Sequence, residues 1–275
     1  MSDPIDATGR RVRHILSLSG GKDSSALAVY MKDKVAEMEY VFCDTGSELR
    51  ETYAYLDRLE KFLGKPIVRL NSGKPFDYWL EVNSGYLPSP RARWCTKVMK
   101  IVPFEKYVGD DIVHSYIGIR ADENREGYIS SKTSIIPKYP FKEDGIRKQD
   151  VMAILEKSGL GIPEYYKWRS RSGCYFCFFQ QKQEWVGLLE NHPDLFERSK
   201  QYEKVDPSQG QYFTWVAGRT LDHIEQNRES IKQKAAAARA AKLARVKPST
   251  LFELFGDAPV AIDDDPSDGC VVCHV

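Results

Sequence analysis

Six residues, Ser19-Gly20-Gly21-Lys22-Asp23-Ser24, separate a short apolar run at His14–Leu18 from an Ala- and Leu-rich stretch at Ser25–Met31. The run reads as a strand, the stretch as a helix, and the six residues as the turn between them. Two glycines let the backbone turn tightly and approach a ligand with no Cβ in the way. The amides opening the helix then point outward, where the helix dipole favours an anion. Lys22 adds a fixed positive charge, and Ser19 and Ser24 add hydroxyl donors. The G-x-x-x-x-G-K spacing of the Walker loop is absent. An ordinary strand–helix turn is the simpler alternative, but so many anion-binding groups in this position argue against it.

The pattern continues. Tyr40–Cys43 reads as a second strand ending at Asp44-Thr45-Gly46, Glu48–Leu63 has helical apolar spacing, and Pro66–Leu70 reads as a third strand. Strand, helix, strand, helix, strand implies a parallel sheet with right-handed crossovers. Ile112–Ile119 adds a buried strand leading into Arg120-Ala121-Asp122-Glu123. The expected fold class is α/β, a doubly wound parallel sheet of about five strands with a helical C-terminal appendage. The expected division is a nucleotide-binding domain at 1–145, a helical Cys-containing region at 146–247 and an acidic tail at 248–275. Glu184–Glu190, Asp194–Lys204 and Leu221–Val246 read as helices, the last long, polar and stopped at Pro248.

Composition sets the class. Apolar residues make up 42% and charged residues 29%, which excludes a wholly disordered chain. No apolar run approaches the roughly 18 residues of a membrane helix. The polar start, residues 1–13, lacks the apolar core of a secretory signal, so the expected location is cytoplasmic, away from membranes. Six cysteines are too sparse for a disulfide scaffold, and two pairs, Cys174/Cys177 and Cys270/Cys273, have C-x-x-C spacing. That spacing in a reducing compartment points to metal, iron–sulfur or redox chemistry. Cys43, inside an apolar strand, reads as core.

On these residues the chain resembles the PP-loop ATP pyrophosphatase superfamily, whose hallmark S-G-G-x-D-S follows the first strand. More narrowly it resembles the branch named after phosphoadenosine phosphosulfate reductase. That branch includes sulfate adenylyltransferase small subunits and the DndC- and SspD-type proteins of DNA phosphorothioation. The resemblance runs through Asp44-Thr45-Gly46, Arg93-Trp94-Cys95-Thr96-Lys97 with Lys100, Gly118-Ile119-Arg120-Ala121-Asp122-Glu123, Lys148-Gln149-Asp150-Val151 and Gly173-Cys174-Tyr175-Phe176-Cys177.

The resemblance implies that the loop holds the β,γ-phosphates of ATP while an acceptor oxygen attacks the α-phosphorus and pyrophosphate leaves. Charge on the leaving group would be neutralised by loop amides, Lys22 and Mg²⁺. Ser19, Gly20, Gly21, Lys22, Asp23 and Ser24, with Asp44, Thr45 and Gly46 at a strand end, are the expected nucleotide-binding residues. Lys22, Asp23 and Arg120 are the expected catalytic residues. Asp23 either places the metal or fixes the loop, Asp44 alternatively caps the next helix, and Arg120 either clamps an anion or pairs with Asp122 or Glu123.

Adenylylsulfate reductases of this branch carry a Cys-Cys pair, about 80 residues, then C-x-x-C, holding a [4Fe–4S] cluster. Here Cys95 precedes Cys174 by 79 positions, and Trp94 takes the place of one member of the pair. Cys95, Cys174 and Cys177 are thus the expected ligands, leaving one iron open or closed from the tail by Cys270 or Cys273. Zinc, a metal-free thiol or persulfide relay favoured by Arg91, Arg93 and Lys97, and simple burial are the alternatives.

Between Arg228 and Lys247, seven basic residues face the single acid Glu229. Such a helix can lie along a phosphate backbone, or simply be a solvated Ala-rich helix. The leading expectation is an ATP pyrophosphatase activating an oxygen for sulfur insertion, with DNA as acceptor and a cysteine desulfurase as donor. A homo-oligomer is compatible with this reading. A phosphoadenylylsulfate or adenylylsulfate reductase and a sulfate adenylyltransferase are the enzymatic alternatives. An ATP-gated nucleic-acid-binding assembly factor or redox sensor is the non-enzymatic one.

Overall fold

Strands β1 (Val12–Leu18), β2 (Met38–Cys43), β3 (Ile67–Leu70), β4 (Ile112–Tyr116) and β5 (Ile135–Lys138) form one sheet in the order β3-β2-β1-β4-β5. The structure, a computed structural model, describes residues 5, 9–124, 130, 132–206, 208 and 211–245. Every pairing in this sheet is parallel; Leu16 of β1 lies opposite both Tyr40 of β2 and Tyr116 of β4. Both faces are covered, so the strands read as nearly continuous apolar runs. Leu16, Leu18, Tyr40 and Phe42 pack against α1 (Lys22–Met31), α2 (Arg50–Leu63) and α7 (Lys148–Lys157). Ile15, Val41, Cys43 and Val113 face the other way, onto Phe104 and Val108 of α5 (Val102–Val108).

Each helix presents one stripe. In α2, Thr52, Tyr55, Leu56, Leu59 and Leu63 are buried at three- and four-residue steps. Gly64, at φ +66°, ends it, its N–H returning to the Glu60 carbonyl. Val151 and Leu155 of α7 join the sheet's own core, so this helix packs with the sheet layers although it follows the expected division at residue 145.

The C-terminal helices α8 (Lys182–Asn191), α9 (Pro193–Gln201), α10 (Leu221–Gln226) and α11 (Arg228–Arg245) surround a separate aromatic core. Phe176 stacks on Trp215 with centroids 5.2 Å apart and meets Phe76 at 4.3 Å. Burying each such ring stabilises by about 2–3 kcal/mol. Phe76 begins α3 (Phe76–Val82), so this core fastens the appendage to the segment after β3. The single long helix expected at Leu221–Val246 is instead two. Thr220 caps α10 through its hydroxyl, and the chain breaks at Asn227 before α11 begins. A hairpin of β6 (Lys204–Asp206) and β7 (Gln211–Phe213) was not expected. Cys270, Cys273 and the acidic tail lie outside the described residues. Among the described residues no helix is long and apolar enough to cross a membrane.

Candidate nucleotide and thiol site

The strand order reverses at β1, whose neighbours are β2 and β4, so the loops after β1 and β4 border a crevice at the carboxyl edge of the sheet. The loop after β1 is held by its own hydroxyls. Ser19 N–H donates to Ser24 Oγ (3.1 Å), Gly21 N–H to Ser19 Oγ (3.3 Å), and Ser24 Oγ to the Gly21 carbonyl (3.3 Å). Gly20 sits at φ +70°, and a Cβ there would stand 2.5 Å from Thr52 Cγ2. Neither strain nor space admits another residue. Gly118, after β4, is also tightly packed: its Cβ would lie 3.0 Å from the Asp23 carbonyl oxygen.

Arg120 crosses this crevice. Its guanidinium reaches Asp23 at 2.6 Å, Asp122 at 3.0 Å and Glu123 at 3.3 Å, and it is buried. Burial alone would weaken its charge, but Asp23 and Glu123 outweigh it and raise its pKa. Arg120 thus pairs with Asp122 and Glu123, and with Asp23 across the crevice. The other Asp23 oxygen faces Lys22 Nζ at 3.5 Å, so both oxygens of Asp23 meet cations. This arrangement suits loop fixing rather than metal placement.

A segment 145 residues downstream covers the loop. Tyr165 Oη donates to the Gly20 carbonyl (2.8 Å), Lys22 N–H donates to Tyr166 Oη (3.1 Å), and Ser172 Oγ donates to Ser19 Oγ (3.0 Å). The Tyr166 ring also lies 4.9 Å from Lys22 Nζ, which is buried. A cavity of about 10 Å³ remains between Ser19, Glu48, Lys100, Ser172 and Gly173.

Asp44, Thr45 and Gly46 do not join that cavity. Asp44 accepts from Gly46 N–H (2.9 Å) and Tyr53 Oη (2.7 Å), fixing the turn at the end of β2. All three line an open groove of about 350 Å³ with Asn71, Lys74 and Arg198. Thr45 faces a second cavity as well, described next.

Cys95, Cys174 and Cys177 line one apolar cavity of about 40 Å³, with Thr45, Lys100, Gly173, Phe178 and Phe179. Cys174 and Cys177 bracket a turn closed by Cys177 N–H on the Cys174 carbonyl (3.1 Å). Cys95 comes from α4 (Trp94–Thr96), which runs into a π-helical turn at Lys97–Ile101 and then α5. Such turns recur at functional sites. Lys100 in that turn lines both cavities, as does Gly173. Among the described residues no three His, Cys, Asp or Glu side chains stand close enough to hold a single metal ion. Trp94 stacks on Phe76 at 5.3 Å and belongs to the aromatic core. Cys43 is buried in the core behind the sheet, where burial pushes its thiol up to about 11.

Sequence reading missed Glu48. It looked like the start of α2, yet it is buried between the two cavities, accepting from Thr45 Oγ1 (2.8 Å) and Ser47 N–H (3.2 Å). Burial pushes its carboxyl pKa up, against the opposing charge of Lys100. Thr45 Oγ1 is also 3.1 Å from Cys174 Sγ, and burial, with Glu48 behind it, raises the Cys174 thiol well above its ordinary value. Tyr166 and Ser172 were missed too, because 144 and 153 residues separate them from their partners in the loop.

The chain is similar to several known proteins. The family model described as the phosphoadenosine phosphosulfate reductase domain matches residues 13–137. An uncharacterized protein of Methanocaldococcus jannaschii is 28% identical over 194 residues, 66% of this chain and 45% of its own. The chain spans less than half the length of the archaeal relatives it matches. A tRNA-specific 2-thiouridylase of Streptococcus equi is 26% identical over 210 residues, 62% of this chain and 54% of its own. A solved phosphoadenylyl-sulfate reductase of Candida auris, in phosphate complex, aligns with TM-score 0.47 at 13% identity, over 59% of this chain and 81% of that one. Residues 13–137, which carry the Ser19–Ser24 loop, are thus similar to the phosphoadenosine phosphosulfate reductase domain.

Proposed function

We propose that this chain is an ATP pyrophosphatase that adenylylates an acceptor oxygen for sulfur transfer, with the DNA backbone as acceptor and a cysteine desulfurase as sulfur source. The observation that carries the reading is the shared wall between the loop cavity and the thiol cavity, built by Lys100 and Gly173. A phosphate-binding loop beside three soft sulfurs suits an enzyme that activates an oxygen and then exchanges it for sulfur. The acceptor oxygen attacks the α-phosphorus, the bond to the bridging oxygen breaks, and pyrophosphate leaves with the electron pair. Lys22 and the loop amides stabilise the charge that develops there. Asp23, within the loop, is held by Lys22 and Arg120 and keeps the loop in shape.

The three thiols fit a [4Fe–4S] cluster in donor type and in sharing one apolar cavity. They fit a single zinc less well, since four ligands at about 2.3 Å would gather the sulfurs more tightly. Cys95, Cys174 and Cys177 would hold the cluster, and it would supply an open iron for a sulfur donor atom. Basic residues along α11, among them Lys234 and Arg239, are exposed and suit a polymeric phosphate partner.

The test is pyrophosphate release from ATP, with DNA, tRNA or sulfate supplied as acceptor in the presence of a desulfurase. Acceptor-dependent release, lost in Lys22→Ala, is expected with DNA. No release with any acceptor, together with thiol-dependent reduction of a sulfonucleotide, would replace this reading with that of a reductase.

A further inference from the structure

We infer that Tyr166 is a reversible cap on the phosphate loop, displaced when phosphate seats, and that its departure is transmitted to the Cys174–Cys177 turn. The inference rests on the nucleotide reading above and deepens it.

Three observations carry it. First, one side chain covers two of the loop's anion-binding groups. Its hydroxyl takes the Lys22 amide at 3.1 Å while its ring lies over the Lys22 ammonium at 4.9 Å. Second, the space outside the glycines is filled by protein oxygen. A Cβ on Gly21 would lie 2.7 Å from Ser172 Oγ and 3.1 Å from Tyr166 Oη. These hydroxyls stand where phosphate oxygens would approach those amides. Third, the cavity of about 10 Å³ between Ser19 and Ser172 has room for one water at most. A phosphoryl group cannot enter that cavity without moving Ser172.

That segment is not a free strap. The fully buried Arg169 donates to the carbonyls of Gly173 (3.1 Å) and Cys174 (2.7 Å), and Tyr175 N–H donates to the Ser47 carbonyl (2.8 Å). Arg169 N–H itself returns to the Tyr165 carbonyl at 2.9 Å. Displacing Tyr166 therefore pulls on Arg169, and through it on the backbone carrying Cys174. The nucleotide loop and the thiol cavity are joined by eight residues of chain with a rigid strut inside.

The test compares full-length wild type with Tyr166→Phe, which keeps the ring and removes the hydroxyl. Binding of α,β-methylene ATP is measured by calorimetry, and hydrogen exchange across 164–177 is followed with and without it. A competing hydrogen bond is removed, so Tyr166→Phe is expected to bind about three- to tenfold more tightly. In wild type the nucleotide is expected to speed exchange at 165–168 and to change it at 173–177. Equal or weaker binding by Tyr166→Phe, or unchanged exchange at 173–177, overturns the cap while leaving nucleotide binding intact. Failure of both proteins to bind the analogue overturns the cap and the nucleotide reading beneath it together. Ser172→Ala serves as the second variant and is expected to tighten binding in the same direction.

Discussion

Asp23 and Arg120 meet at 2.6 Å across the crevice, joining the first helix of the sheet to the loop after β4 with both side chains largely withdrawn from water. The pair's energetics differ from those of a surface ion pair, because Arg120 is the common counter-ion of Asp23, Asp122 and Glu123.

Arg120→Ala removes the cation those three carboxylates share, and the expected loss is about 3 kcal/mol of folding stability. Urea denaturation measures it. Arg120→Lys keeps the charge but not the planar fork, and about half that loss is expected. A neutral Arg120→Ala would mean that the carboxylates find other partners.

Gly118→Ala tests the close approach between the loop after β4 and the Asp23 backbone. A Cβ at 3.0 Å from a carbonyl oxygen forces a shift of a few tenths of an ångström, costing about 1–2 kcal/mol. Nucleotide affinity should fall more than stability does, since the backbone that must yield belongs to the loop itself. Parallel calorimetry and denaturation separate the two effects.

Acid sensitivity should arise at the opposite end of β1. Burial would raise the Glu39 carboxyl, but hydrogen bonds from Arg13 and Tyr107 outweigh it and hold it below its ordinary 4.5. A depressed carboxylate contributes stability that is present above the unfolded value and lost as pH falls through the folded one. Glu39→Gln should therefore destabilise at pH 7 and converge with wild type as pH falls from 4.5 through the folded-state value. Thermal melts across that range decide it.

Anaerobically purified protein should be brown, absorbing near about 400 nm as thiolate-bound iron–sulfur centres do. Cys95→Ser, Cys174→Ser and Cys177→Ser should each bleach it. Cys43→Ser should not, because that sulfur lies in the core behind the sheet, against the Lys100 carbonyl at 3.6 Å. Colourless, iron-free wild type with full activity would remove the cluster.

Four of the five strands were legible as apolar runs because a sheet covered on both faces leaves no polar alternation to obscure them. β5 was not: it has four residues, and Pro137 lies among them. The run from Trp94 to Val108 escaped notice as helix because Pro103 and the scattered Arg and Lys break the periodic signal. The loop residues and the three thiols declared themselves by type and spacing. Glu48, Tyr166 and Ser172 could not, since their importance comes from partners brought near only by the packing of the appendage on the sheet. Asp44 shows the converse. Its position at a strand end was read correctly, but its carboxylate is engaged by Gly46 and Tyr53 in a neighbouring groove.

Cys95 and Lys100 are five residues apart, a separation that places side chains about 140° apart around a regular α-helix. The wider winding of Lys97–Ile101, bonded i to i+5, brings such a pair back toward one side, and both face the same cavity. Rewound at ordinary pitch with every residue kept, that stretch would turn Trp94–Thr96 by about 100° relative to Val102–Val108. The chain would keep all of its cysteines, yet one of the three sulfurs would point away from the other two.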